Sequence, residues 1–380
     1  MNNANKFSKL LINFGPLKKG GGQNVALNFL QELERYQALD FEPYFIACNG
    51  SILHQKLNSS KWSNNILTVS RNPYFRIIQE LTLARLFLKR NNIKNVYSYF
   101  GFAFFGPGVN QVIGSADSNL YFPEINFWSN EKLHEKLIRS LVDKYRIWGL
   151  KRAAAVIYEN KEMYVRAETL FGIKKKALIL PSIDTPTDNK NLQIEYQENT
   201  FKVLLLCGWQ RNKNILCIPE LAHNLKASGY KFEFIITTAP DKSSCSKDFF
   251  NLVDMWQVQD MINCIGQVEK SQLKDLYMLV DSVLLLSLLE SFSNNIIEAW
   301  FYKKPLIVAD EAWSRAICSD AAFYVQRDSI KNISEAITQI HLNSSIQENL
   351  ILAGREELQK FPSINERFCN EINFLKESLS

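Results

Sequence analysis

An α/β fold of two Rossmann-like, parallel-sheet domains facing a central cleft is the architecture this sequence predicts, and three observations predict it. The chain has 380 residues, and at ~150 residues per domain that is room for two. Short apolar runs alternate with segments whose apolar residues recur at helical spacing, and strand–helix alternation implies parallel sheets with right-handed crossovers. The series occurs twice, on either side of a polar, proline-bearing stretch over 181–200. In such sheets ligands bind outside the carboxyl ends of the strands.

The first series opens with the apolar run Leu10–Phe14, followed by Gly15-Pro16 and the triplet Gly20-Gly21-Gly22. Asn24–Glu34 has apolar residues at 25, 26, 29, 30 and 33, which predicts a helix. Tyr44–Cys48, Asn95–Phe100, Ala154–Tyr158 and Lys176–Leu180 read as strands, and Tyr74–Lys89 and Asp143–Ala153 as helices. In the second series Val203–Cys207, Phe232–Thr237, Met261–Ile265, Ser282–Leu286 and Pro305–Val308 read as strands. Ile215–Ser228, Lys270–Val280 and Asn295–Tyr302 read as the helices between them. The expected organisation is an amino-terminal domain over 1–185, a linker over 186–200, a carboxyl-terminal domain over 201–363 and a terminal helix over 364–380.

Composition narrows the class. Hydrophobic residues at 46% and charged residues at 22% suit a globular chain and exclude wholesale disorder. A net charge of +5 is too small to indicate a nucleic-acid binder, and no basic stripe is interleaved with stacking aromatics. The longest apolar stretch, Tyr277–Leu289, is broken by Asp281 and Ser282, whereas a spanning helix needs roughly 20 apolar residues. Leu10–Phe14 is too short for a secretory signal. Seven cysteines without a Cys-x-x-Cys predict reduced thiols and a cytoplasmic setting. The four histidines are scattered, and there is no Asp-x-Asp, so no metal or cofactor site is expected. There is no G-x-S-x-G either, which argues against nucleophilic hydrolysis.

The chemistry concentrates in Leu284–Asp310. A buried apolar strand runs into Glu290-Ser291-Phe292-Ser293-Asn294, which opens a helix carrying Glu298. Amides at a helix start, with the helix dipole behind them, make an anion site suited to phosphate. Both glutamates can accept hydrogen bonds from sugar hydroxyls. Ahead of this lies Val203–Asn214, where a strand ends in Gly208 and the cations Arg211 and Lys213 precede a helix.

Glu-x7-Glu between a buried strand and Glu-Ala-x5-Pro resembles the signature of retaining GT-B glycosyltransferases, family 4 (glycosyltransferases group 1). Glu290, Phe292, Glu298, Ala299 and Pro305 stand in register, with Ser291 and Ser293 where glycines are common. The resemblance implies that Glu290 contacts the donor sugar and that the amides of Phe292, Ser293 and Asn294 hold the diphosphate. It further implies that Glu298 accepts from the ribose hydroxyls and that Gly208, Arg211 and Lys213 form the diphosphate turn. The family's arginine usually follows the glycine directly; Trp209 stands there, and Arg211 is the candidate substitute. Ile265-Gly266-Gln267-Val268 resembles the family's next segment, in which the backbone near Val268 meets the base. The glycine loop Gly21-Gly22-Gln23 matches a loop near the donor phosphate and acceptor, and Asp117, in the polar loop 114–119, is the acceptor-side catalytic candidate, ahead of Glu124. Ala154–Tyr164 and Leu178–Asp184 complete the likeness, and the terminal helix is expected to cross back onto the amino-terminal domain.

What the resemblance implies is a metal-independent hexosyl transfer, with retention, from a nucleotide-diphosphate sugar to a hydroxyl of a saccharide or lipid-linked acceptor. UDP or GDP donors are both open, and surface polysaccharide or lipopolysaccharide synthesis is the expected setting. A nucleotide-sugar epimerase or phosphorylase of the same fold, or a non-catalytic binding scaffold, are the alternatives. One further feature concerns membranes. Residues 131–176 hold twelve Lys/Arg against six Asp/Glu, and residues 71–94 add six cations against Glu80 alone among Phe75, Ile77, Ile78, Leu81, Leu83, Leu86 and Phe87. One reading is peripheral contact with an anionic membrane at its inner face; the plainer one is a helix that buries its apolar side and solvates its cations.

Overall fold

A computed structural model describes residues 8–18, 20–37, 39–102, 105–125, 133–184 and 190–379. The chain divides into two units, one running through Ile183 and resuming at Pro362, the other spanning Asp184–Phe361.

The first unit contains, in order, β1 (Lys9–Asn13), α1 (Gly21–Arg35), β2 (Glu42–Cys48), α2 (Ile52–Asn58), β3 (Ile66–Val69), α3 (Pro73–Leu81), α4 (Leu83–Arg90), β4 (Asn95–Ser98), β5 (Asn110–Ser115), α5 (Leu133–Arg152), β6 (Ala155–Tyr158), α6 (Lys161–Phe171) and β7 (Lys176–Leu178). Its sheet is parallel throughout, in the order β3-β2-β1-β4-β5-β6-β7. Both faces are covered, so the strands read as nearly unbroken apolar runs. Alternate residues feed two core layers. Leu10 and Ile12 join Phe29, Leu30 and Leu33 of α1 on one side. Leu11 joins Ala84 and Leu88 of α4 on the other.

The helix expected over Tyr74–Lys89 is two helices. Thr82, between them, turns its hydroxyl onto the Ile78 carbonyl at 2.7 Å, a side-chain bond that competes with the helical ladder. The helix expected over Asp143–Ala153 begins ten residues earlier, at Leu133.

The second unit contains β8 (Phe201–Leu205), α7 (Ile218–Lys226), β9 (Phe232–Ile236), α8 (Ser244–Trp256), β10 (Ile262–Cys264), α9 (Leu273–Leu279), β11 (Ser282–Leu285), α10 (Asn294–Phe301), β12 (Leu306–Ala309), α11 (Ala312–Cys318), β13 (Phe323–Val325), α12 (Ile330–Leu342) and α13 (Ser344–Leu358). Its sheet is again parallel, β10-β9-β8-β11-β12-β13. Gly354 of α13 lies under the Trp300 indole of α10, where a Cβ would stand 2.4 Å from the ring, so only glycine fits that crossing. Residues 186–189 of the expected linker lie outside the described residues. Residues 190–200 are tied to the second unit: Lys190 N bonds Ser271 O at 3.0 Å, and Leu192 N bonds Asp275 Oδ2 at 3.0 Å.

The last helix, α14 (Ile364–Leu379), packs on the first unit. Phe368, Ile372 and Leu375 enter the α1-side core. Its Arg367 is buried between two carboxylates, donating to Glu371 Oε1 at 2.8 Å and Glu159 Oε1 at 2.7 Å. The Tyr97 and Tyr99 hydroxyls also donate to Glu371, at 3.2 and 3.4 Å. Among the described residues no helix is long and apolar enough to cross a membrane.

Candidate active site

Because each sheet is parallel, the loops at its carboxyl edge gather residues far apart in sequence. In the second unit β8 and β11 are neighbours, and the loops that follow them carry most of the expected site.

After β8 the chain passes Gly208, where an added Cβ would meet nothing within 4 Å, and makes a 3-10 turn over Arg211–Lys213. The Lys213 ammonium pairs with the Glu290 carboxylate from the loop after β11, both side chains being less than one-fifth exposed. Asn212 bonds the two loops together. Its Nδ2 donates to Leu289 O at 3.0 Å, its Oδ1 accepts from Leu289 N at 3.2 Å, and its carbonyl accepts from Leu288 N at 2.8 Å. Asn214, at φ 55, donates to Arg327 O at 2.8 Å.

The structure thus brings Lys213 and Glu290 together but sends Arg211 elsewhere. The Arg211 guanidinium meets Asp248 of α8 at 2.5 Å, and both side chains are about half exposed. Trp209, in the place where the family pattern has arginine, donates its indole N–H to Ala239 O at 2.7 Å and packs on Phe249.

Ser293 precedes α10 but its hydroxyl makes no capping bond. Among the described residues no protein acceptor takes the amides of Phe292, Ser293 and Asn294. These donors are left for solvent or a ligand, at the positive end of the helix dipole. The Phe292 ring is turned onto Phe361, 5.8 Å between centroids, so its backbone is the part available to a ligand. Asn295 fixes the helix start to β8 by donating to Leu206 O at 2.8 Å.

One turn further on, Glu298 Oε2 accepts from the Tyr277 hydroxyl at 3.0 Å, and the Tyr277 ring stacks on Tyr302. Burial pushes the Glu298 carboxyl up to about 7, only partly offset by the Tyr277 bond and the Lys270 charge. Val268 is half-buried in the loop after β10, next to Gly266 at φ +82.

The remaining candidates belong to the first unit. Gly20, at φ 84, precedes α1 with no side-chain cap. Gly21 is exposed, and a Cβ on Gly22 would stand 3.3 Å from Leu17 and 3.4 Å from Phe100. Gln23 is buried and its Oε1 has no partner. Asp117 follows β5 and lies 3.5 Å from Arg146 of α5. Burial raises its pKa, against the pull of Arg146. Glu124 is taken by Arg166 at 2.5 Å. Among the described residues no group of three or more His, Cys, Asp or Glu could hold a metal ion.

Two residues of the site were not singled out from the sequence. Asn212 carries a weak signal, an amide between two cations at a turn. Tyr277 carries none, since a tyrosine on an apolar helix reads as core.

Fold and site together define a GT-B protein whose second unit presents a fixed cation, an uncapped helix and a buried carboxyl at one sheet edge. Residues 190–357, nearly all of that unit, match the model of the family described as glycosyl transferases group 1. No curated protein matches the sequence. Solved structures give the fold. The sucrose-phosphate synthase of Thermosynechococcus elongatus superposes with a TM-score of 0.74 at 12% identity, over 97% of this chain and 98% of that one. A glycosyltransferase from Rickettsia africae gives 0.67 at 16%, over 98% and 99%. Anabaena HepE, solved with UDP and glucose, gives 0.69 at 12%, over 96% and 99%.

Proposed function

We propose that this protein is a glycosyltransferase that moves a hexose-type sugar, with retention, from a nucleotide-diphosphate donor to a hydroxyl of a saccharide or lipid-linked acceptor. The observation that carries the reading is the joined pair of loops after β8 and β11, where Lys213 meets Glu290 ahead of an uncapped α10. The match of residues 190–357 to group 1 glycosyl transferases supports it, as does the UDP held by HepE. In this reading the Phe292–Asn294 amides and Lys213 bear the diphosphate. They stabilise the negative charge that grows on it as the sugar leaves, without a metal ion. Glu290 orients the sugar, Glu298 accepts from the ribose and the Val268 backbone meets the base. The acceptor hydroxyl attacks from the side of the departing diphosphate, whose oxygen takes the proton. Asp117 and Gly21–Gln23 serve the acceptor and phosphate side. Seven free cysteines fit a reducing, cytoplasmic setting.

A metal-free screen of nucleoside diphosphates and nucleotide sugars by thermal stabilisation tests this. A ligand at 100 times its Kd adds ~2.7 kcal/mol, enough for a visible melting shift. A shift with one nucleoside diphosphate, lost in Glu298→Ala, is the expected result; no shift with any of them overturns the reading. A sugar-nucleotide-binding protein without transfer is the second reading, favoured by one observation: Asp248 holds Arg211 and leaves one cation at the turn. Tight nucleotide binding without turnover would select it.

A further inference from the structure

On α3 the usual orientation of a sheet-covering helix is reversed, and the first four turns of α5 bury no residue. On α3 and α4, Phe75, Ile78 and Leu86 each expose more than half their surface, while Glu80 of α3 is turned inward at 7% exposure beside Arg76. On α5, Leu137, Ile138 and Leu141 are likewise more than half exposed, and burial begins only at Gly149 and Leu150. Their spacing places them on one side of the helix. The plainer reading of this segment, apolar side buried and cations solvated, does not describe α3.

Both apolar surfaces lie on the same face of the first sheet. The crossover β1–α1–β2 runs toward β3, whereas α3–α4 and α5 join strands in the opposite direction. Right-handed crossovers then put α3, α4 and α5 opposite α1, in agreement with α4 packing in the other core layer from α1. Charge follows the same elements. Residues 71–94 and 133–152 carry twelve Lys/Arg against three Asp/Glu, a net +9 where the whole chain has +5. Lys89, Arg90 and Lys144 are exposed among the apolar groups.

We propose that this face of the first unit, formed by the exposed sides of α3, α4 and α5, docks on an anionic lipid surface. Exposed aliphatic and aromatic side chains enter the acyl boundary and the flanking cations meet the headgroups, the pairing by which an amphipathic surface lies on a bilayer without crossing it. Exposed apolar side chains gathered on one face of the unit mark a docking surface, and the excess of positive charge selects an anionic bilayer over a neutral partner. The inference goes beyond the transfer reaction and stands whether or not the second unit transfers a sugar.

Flotation of the full chain with phosphatidylcholine vesicles, and with vesicles containing about one-third phosphatidylglycerol, tests it. The expected result is binding to the anionic vesicles, weakened by salt, and at least about tenfold weaker with phosphatidylcholine alone. Leu137→Ser with Leu141→Ser should lower anionic partition by roughly tenfold or more, because two of the three apolar groups named on that helix are lost. Lys89→Glu with Arg90→Glu, which touches no core, should do the same while leaving the melting temperature unchanged. Three results overturn the proposal: no binding to either vesicle at low salt, binding indifferent to both double variants, or a dimer that Leu137→Ser with Leu141→Ser dissociates while vesicles capture nothing. The last would assign the face to a second copy of the chain.

Discussion

The turn that follows the first strand of each sheet is built in two ways. In the first unit the chain leaves β1 and enters α1 through Gly20–Gly22, and the neighbouring loop after β4 brings up Phe100, whose ring lies against Gly22. In the second unit it leaves β8 through Gly208 to Lys213, and the neighbouring loop after β11 brings up Glu290. One turn offers glycine backbone and the unpartnered Gln23 Oε1; the other offers a cation fixed by a carboxylate and an amide that joins two loops. The difference teaches that equivalent places in one kind of sheet acquire their chemistry from the loop beside them. On the proposed reading, the cation that meets the diphosphate is Lys213 of the second unit.

The units also differ in how they hold buried charge, and the largest expected effect tests that. Arg367→Ala leaves Glu159 and Glu371 buried without their partner, which costs about 3–5 kcal/mol. Denaturation should show the first unit's transition moved and donor binding by the second unit retained. If donor binding is lost with it, the two units are not separable in this way.

Lys213→Ala comes next. Removing one preorganised charge from a developing anion costs about 10²–10³ in kcat, and it also strands Glu290. Lys213→Met with Glu290→Gln should recover stability but not turnover, measured by melting and by steady-state rates. Recovery of both would move the diphosphate charge to another residue.

A smaller effect separates the units by pH. Burial raises Glu298 in the second unit and Glu80 in the first from 4.5 to about 7. Between those values the folded protein binds more protons than the unfolded chain, so each group's contribution to stability falls as pH rises from 4.5 through 7. Glu298→Gln should flatten that slope for the second unit and Glu80→Gln for the first, read from melting curves over pH 4.5 to 8. An unchanged slope in both would show these carboxyls to be hydrated in the folded state.

The smallest effect is expected at Arg211. Its pair with Asp248 is exposed, and such pairs contribute about 0–1 kcal/mol. Arg211→Ala should leave melting and donor affinity nearly unchanged; a tenfold loss of donor affinity would mean that the guanidinium leaves Asp248 for the ligand.

Both series of parallel strands were legible because their signal is local. Buried strands such as Val203–Cys207 and Ser282–Leu286 are apolar runs, and the polar segment from Glu290 to Asn294 marks where one of them ends. The expected series lacks strands β3, β5 and β13 and helices α2, α8, α11, α12 and α13; β3, with Thr68 in a four-residue run, is too short and mixed to stand out. The orientation of α3 was misleading in sequence, since its amphipathic pattern has the same period whichever side faces the sheet.

The sequence by itself determined the alternation of elements, the place of the site at strand ends and the residue types gathered there, because each depends on spacing within about one element. Tertiary structure alone decided which partners those residues take. Lys213 and Glu290 are 77 residues apart, as are Asn212 and Leu289, and Arg367 and Glu159 are 208 apart. Such pairs form only when parallel strands bring their carboxyl ends together or a terminal helix packs back on a distant core. Arg211 reaches Asp248 and not the turn's other charges for the same reason: the neighbour that folding supplies, rather than the residue next in the chain, sets what a side chain does.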